Sequence, residues 1–323
     1  MTGFLVALIV IVGAAGVVTQ VGTAWLNNAY PPSGRLIDVD GATVHLVEHG
    51  TPSADRPSLL FVHGASSNHR EFMIALAEHL PERFGTTFHA LYVDRPGQGH
   101  SERLEGDHSP RAQADRLIAA AREAGATRII AVGHSWGGAV VAQMAVHHSD
   151  IVEGAVFVAP ATHPWPGGVD WFYGLANRPI LGWLFTRLIA LPAGWFQVTP
   201  GVEGVFAPEP PTPDYAEQLV PRLVLRPRAF RANAQDVYRL KPFVIEEAAS
   251  YQSIAMPVRI ITGDEDGVVL PHIHSDGLER DIPGAEKIVI EGGGHMPHQT
   301  HPELVLDAIE EIIDSVSPSV EPV

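Results

Sequence analysis

The chain has 323 residues, with 21 Lys plus Arg against 37 Asp plus Glu, a formal charge of −16 and no cysteine. That balance argues against a nucleic-acid partner, because a polyanion surface needs clustered cations and the only lysines are Lys241 and Lys287. Zero Cys excludes disulfides, thiolate metal sites, iron–sulfur clusters and a cysteine nucleophile.

At 46% apolar and 18% charged, the composition carries a surplus of hydrophobic residues that has to be concentrated somewhere. Much of it comes first. Gly3 to Val18 is an apolar run, and no charged side chain precedes Arg35. Carried to Leu26, a helix would be roughly 36 Å long, enough to cross a hydrocarbon core of about 30 Å. Trp25 and Tyr30 then fall where an aromatic belt lies. Residues 1–27 therefore read as an N-terminal transmembrane anchor in a membrane-bound protein. The alternatives are a signal peptide and an exported protein, with Gly22-Thr23-Ala24 as a passable cleavage site but no Lys or Arg in the n-region, or an apolar helix docked on the protein. Residues 28–34, with Pro31-Pro32-Ser33-Gly34, form a hinge that stops the helix.

Short apolar runs then alternate with amphipathic stretches, the pattern of an α/β chain. Arg35 to Val39 and Thr43 to Glu48, joined through Asp40-Gly41, predict an antiparallel hairpin. Ser58 to Val62 is continuously apolar, as in a strand buried on both faces of a parallel sheet. His89 to Asp94, Arg128 to Val132, Ala155 to Val158, Arg259 to Thr262 and Lys287 to Ile290 repeat the theme. The clearest helix spans Pro110 to Ala124, with Ser109 as N-cap, Pro110 at its first position and Gly125 as its stop. The final Ser/Pro-rich residues, 315–323, read as a flexible tail.

The most specific motif is Gly133-His134-Ser135-Trp136-Gly137, directly after one strand and before the helical stretch Ala139 to His147. Strand, sharp turn and helix are the context of a nucleophile elbow, with Ser135 as nucleophile and the helix N-terminus favouring an oxyanion. Such a serine needs a base. His295, in Glu291-Gly292-Gly293-Gly294-His295, sits at a strand's carboxyl end on a glycine-rich loop. A metal reading of His295, His298 and His301 is disfavoured, because Pro297 and Pro302 break the helix that would align them. The acid that orients the imidazole belongs after Thr262, where Gly263-Asp264-Glu265-Asp266-Gly267 offers three carboxylates. Asp266 is the first choice and Asp264 the second. No metal or cofactor is called for.

With His63-Gly64-Ala65 and Asp94-Arg95-Pro96-Gly97-Gln98-Gly99-His100-Ser101, these motifs resemble the α/β-hydrolase fold enzymes of the esterase, lipase and haloperoxidase-like kind, from about Arg35 to about Ile313. The resemblance implies an α/β class fold: a mostly parallel central sheet, helices on both faces and an inserted helical lid. The core would be 35–160 and 255–314, and the lid 161–254. It also implies an oxyanion hole made by the backbone amides of Ala65 and Trp136. Epoxide hydrolases and haloalkane dehalogenases of this fold carry Asp at the elbow and usually Pro two places after the His-Gly pair. Here those positions are Ser135 and Ser66. The HGGPG-type turn of proline iminopeptidases is absent as well.

The insert holds Trp165, Trp171, Phe172, Tyr173, Trp183, Phe185, Trp195 and Phe196, and Pro208 to Pro213 splits it into two helical sections. Such aromatics either pack the lid, form an apolar pocket or meet the bilayer. The expected pocket residues are Trp136, Trp165, Trp171 and Phe172, with the apolar part of the substrate beneath the first section. The expected activity is a serine hydrolase acting on a small, apolar, ester-like substrate. The alternatives are a carbon–carbon bond hydrolase, an amidase or a perhydrolase of the same fold, or a catalytically silent ligand binder.

Overall fold

The computed structural model describes residues 2–85 and 88–317. Its centre is one eight-stranded sheet of β1 (Arg35–Val39), β2 (Ala42–Gly50), β3 (Ser58–Val62), β4 (His89–Val93), β5 (Ile129–His134), β6 (Val152–Val158), β7 (Val258–Gly263) and β8 (Glu286–Ile290). The spatial order is β1-β2-β4-β3-β5-β6-β7-β8. β1 pairs antiparallel with β2, and β2 with β4, while β3 to β8 run parallel. β6 starts three residues before the predicted Ala155 because Glu153 and Gly154 hide the apolar run.

Alternation along the strands feeds two cores. Leu60, Val62, Leu91, Val93, Ile129 and Ala131 face the helices Pro110–Glu123 and Trp136–His147. Leu59, Phe61, Ala90, Tyr92, Ile130 and Val132 face the helices Arg70–Leu76 and Pro302–Val316. β3, β4 and β5 are buried along their whole length, which is why their sequences read as unbroken apolar runs. The Ser109 side chain caps the helix Pro110–Glu123 by accepting from the Ala112 amide at 3.1 Å. Gly125 ends it at φ +92°.

Between β6 and β7 the chain forms five short helices from Trp171 to Leu219, a 3₁₀ turn at Pro221–Leu225 and the long helix Pro227–Glu247. The proline run falls between the helices Val198–Phe206 and Tyr215–Leu219, as expected. The N-terminal helix, Thr2–Ala29, is long and apolar enough to cross a membrane. Its face at Ala15, Gly16, Thr19, Gly22, Thr23 and Leu26 is covered, at helical spacing, while residues 2–14 are exposed on every side. Leu26 packs into a cluster with Leu191, Val220, Leu223 and Leu225 of the segment between β6 and β7. The last helix reaches Val316, two residues into the predicted tail, and 318–323 lie outside the described residues.

Candidate active site

The elbow is built by close approach. Ser135 sits between β5 and the helix Trp136–His147 at φ +51°, ψ −119°, a backbone state that costs a non-glycine residue about 1–3 kcal/mol. The turn is held by Ser135 N donating to Val158 O (3.0 Å) and Ser135 O accepting from Gly138 N and Ala161 N (2.9 Å each). A Cβ on Gly137 would lie 2.2 Å from Val62 O, and one on Gly133 would lie 2.6 Å from Gly137 O, so neither position admits a side chain. The helix begins at Trp136, three residues earlier than predicted, and directs its free N-terminal amides at the site.

Two loops at the carboxyl ends of β7 and β8 bring the second and third residues together. His295 Nδ1 and Asp266 Oδ2 are 2.7 Å apart, both residues buried. Asp266 Oδ1 accepts from the amides of Val268 (2.8 Å) and Val269 (2.9 Å). Burial pushes the Asp266 carboxyl up, but the facing His295 ring and these two amides outweigh it and hold the group below the usual carboxylate range. Asp264 is exposed and binds the Gly292 amide at 2.7 Å instead. Ser135 and His295 both line one cavity; no hydrogen bond closes between them among the described residues, a contact that typically tightens when substrate binds.

The cavity holds about 830 Å³. Ala65, Ser135, Trp136, His274, His295 and Met296 form its floor, and Val198, Val202, Val205, Tyr215, Leu219 and Val224 roof it. Of the expected pocket residues, Trp136 and Trp165 line this cavity. Trp171 and Phe172 do not: Trp171 turns outward, 73% exposed, and Phe172 packs against Tyr173 and Phe230. The helix Trp171–Asn177 offers the cavity its next residue, Tyr173. Both helical sections, before and after the proline run, roof the cavity, and they do so mainly with aliphatic side chains.

A model described as the alpha/beta hydrolase family matches residues 59–308, well over half of the chain. The chain belongs to the alpha/beta hydrolase family. An uncharacterized protein of Mycobacterium tuberculosis is 26% identical over 294 residues, which cover 81% of this chain and 77% of that one. The pimeloyl-acyl-carrier-protein methyl ester esterase of Vibrio vulnificus is 26% identical over 275 residues, 79% of this chain and 93% of the esterase. Among solved structures, a thermophilic esterase from Thermogutta terrifontis superposes with a TM-score of 0.67 at 21% identity, covering 88% of this chain and 97% of that one.

The hydrolase holds its His63-Gly64-Ala65 turn with residues that sequence reasoning missed. Arg95, fully buried, donates from Nε to His63 O and from Nη2 to Gly64 O, both at 3.0 Å. In a planar trans peptide the carbonyl and the following N–H point opposite ways. Drawing Gly64 O toward Arg95 therefore points the Ala65 amide away from Arg95. Arg95 is itself held by Asp236 (2.9 Å) and Gln113 (3.0 Å), and stacks on the Trp136 ring at 4.2 Å. Glu71 Oε1 takes the Gly64 amide (3.0 Å) and the His134 ring (2.9 Å), whose other nitrogen faces His295 O at 3.0 Å. Burial alone would raise the Glu71 carboxyl, but the His134 ring reverses this and holds it well below its usual range. The His63-Gly64-Ala65 turn, the elbow and the His295 loop are thus tied through one buried acid.

Two buried clusters hold potential metal donors: Glu71, His134 and His298, and Asp94, His45 and His69. In the second, Asp94 already accepts from both rings and from the amides of His69 and His100. In the first, His298 has no hydrogen-bond partner among the described residues on either ring nitrogen, and its ring lies 4.4 Å from that of His134. His301 faces Thr300 and Glu209, away from both clusters.

Two buried imidazoles make the fold acid-sensitive. His63 Nε2 accepts from the Arg95 amide, and His274 Nδ1 accepts from the amides of Thr162 and His163. Burial pushes each ring down to about 4, helped by Arg95 at His63 and by His163 at His274. A lowered folded value means that the unfolded chain binds more protons, so stability is full above about pH 6.5 and falls as pH drops towards 4. Each ring contributes a slope of up to about 1.4 kcal/mol per pH unit across that window. Urea midpoints are expected to fall steadily from pH 7 to pH 4.5. A flat profile there would contradict neutral, buried rings.

Proposed function

We propose that this alpha/beta hydrolase is a serine esterase, a carboxylic ester hydrolase with Ser135, His295 and Asp266 as its triad. The pairing of His295 with Asp266 at 2.7 Å, on the same cavity wall as the strained Ser135, carries this reading. Ser135 Oγ attacks the ester carbonyl carbon while the free nitrogen of His295 takes its proton, and Asp266 stabilises the imidazolium. The amides of Ala65 and Trp136 receive the oxyanion, each worth about 3 kcal/mol in the transition state. Collapse breaks the carbon–oxygen bond, and the alcohol leaves with the proton from His295. Water then attacks the acyl-enzyme, giving up a proton to His295, and the acid departs as Ser135 regains its hydrogen.

On this reading residues 161–254 are a lid over an apolar acyl site, and Thr2–Ala29 is a single-pass anchor in the membrane. The aliphatic roof supports an apolar acyl group over an anionic one, since no Lys or Arg among the described residues lines the cavity. Turnover of p-nitrophenyl esters is expected to improve from acetyl to octanoyl, with p-nitroanilides of the same acyl groups cleaved far more slowly. A preference for the anilides would overturn the ester assignment.

A further inference from the structure

The N-terminal helix packs on the lid, and both leave large apolar side chains exposed. Only residues 2–14 of the helix stand clear of the protein, about 20 Å at 1.5 Å per residue, whereas a hydrocarbon core takes about 20 residues. A spanning helix therefore draws about seven more residues, 15–21, into the hydrocarbon. One face of that stretch is already packed on the lid: a Cβ on Gly16 would meet Leu188 at 3.7 Å and Thr19 is buried, while Val17, Val18 and Val21 on the other face are exposed. The lid has to enter the lipid with them, to a depth of about 10 Å. Its surface suits that place. Ile180 is 75% and Phe196 77% exposed, and Leu181, Trp183, Leu184 and Ile189 are exposed beside them.

In a chain of charge −16, no acidic residue occurs between Asp170 and Glu203. The two cations in that stretch are Arg178 and Arg187, and the Arg187 guanidinium lies 4.4 Å over the Trp183 ring, the pairing of an interfacial belt. Behind this face, Val198 and Val224 line the cavity and also pack into the cluster around Leu26. One layer of side chains separates the catalytic cavity from the anchoring helix.

We infer that the lid face formed by Ile180, Leu181, Trp183, Leu184 and Phe196 is immersed in the bilayer, and that the substrate is a long-chain ester dissolved there, entering the cavity from the lipid. This rests on the anchor and esterase readings above. Because the chain has no cysteine, single spin labels report cleanly. The full chain would be reconstituted in phosphatidylcholine vesicles with labels at Ile9→Cys, Leu181→Cys, Phe196→Cys or Asp314→Cys. Asp314 lies at the far end of the last helix, beside the amino end of β3.

Labels at Ile9, Leu181 and Phe196 should collide with oxygen in preference to an aqueous nickel chelate, and the label at Asp314 should do the reverse. Aqueous exposure at Leu181 and Phe196 with lipid exposure at Ile9 overturns immersion and leaves the anchor standing; aqueous exposure at Ile9 as well overturns both. Dipolar broadening between Phe196 labels of neighbouring chains overturns it in favour of a second copy covering the face. In a second arm, Ile180→Glu with Phe196→Glu should slow hydrolysis of p-nitrophenyl palmitate in the vesicles at least about tenfold, and p-nitrophenyl acetate in water by less than about twofold. Equal effects on the two esters overturn the entry route. If the unaltered chain cleaves neither ester, the esterase reading fails, while the labels still decide immersion.

Discussion

Ser135→Ala is expected to lower kcat on p-nitrophenyl esters by about 10⁴- to 10⁶-fold, with the melting temperature unchanged within a degree or two. The loss is large because every bond made to the acyl carbon passes through this hydroxyl, and the amides of Ala65 and Trp136 are left to polarise a carbonyl that nothing attacks. The folding cost is small because the alanine keeps the Cβ, and the backbone strain at φ +51° is unaltered. Ser135→Gly separates the two quantities further. Glycine adopts this backbone state without strain, so that variant should be equally inactive yet more stable than the parent by about 1 kcal/mol, once the greater entropy of its unfolded chain is counted. A Ser135→Ala protein retaining a tenth of the parent activity would place the nucleophile elsewhere.

Asp266→Asn should cost about 10⁴-fold in kcat, and Asp264→Asn no more than a few-fold. The contrast follows from what each carboxylate touches. Asp266 faces His295 Nδ1 at 2.7 Å and is locked by two amides, so an amide side chain there loses the charge that stabilises the imidazolium and can present NH₂ to the ring, favouring the wrong tautomer. Asp264 closes an exposed loop by accepting from the Gly292 amide, a task that the carbonyl oxygen of the substituted side chain takes over in Asp264→Asn. Comparable losses in the two variants, or a greater one at Asp264, would reverse the assignment.

Much of the fold was legible because buried parallel strands write themselves as unbroken apolar runs, and because the elbow forces glycine at 133 and 137 by contact with Val62 O and Gly137 O. The order Ser135, Asp266, His295 was readable for the same reason: each lies at the carboxyl end of a strand. What stayed hidden depends on residues far apart in the chain. Nothing near Arg95 announces Asp236, 141 positions away, or the two carbonyls to which Arg95 donates. Glu71 reads as the polar position of a helix, yet it is buried against His134 from the elbow. The lid aromatics misled for a related reason. Periodicity gives a helix its faces but not its partners, so Trp171 was expected at the cavity and is found outside, as exposed as Ile180 and Phe196. The aliphatic residues that do roof the cavity, such as Val198, Val202 and Leu219, carry no compositional mark of a binding site.

Covalent labelling tests the central claim most directly. A fluorophosphonate reacts with a serine only where a base withdraws its proton and an oxyanion site receives the phosphonyl oxygen. After incubation of the full chain with the probe and proteolysis, mass spectrometry should find one modified residue, Ser135. Labelling should vanish in Ser135→Ala and be strongly slowed in His295→Gln. An unlabelled chain, or a label on another serine, would contradict the account.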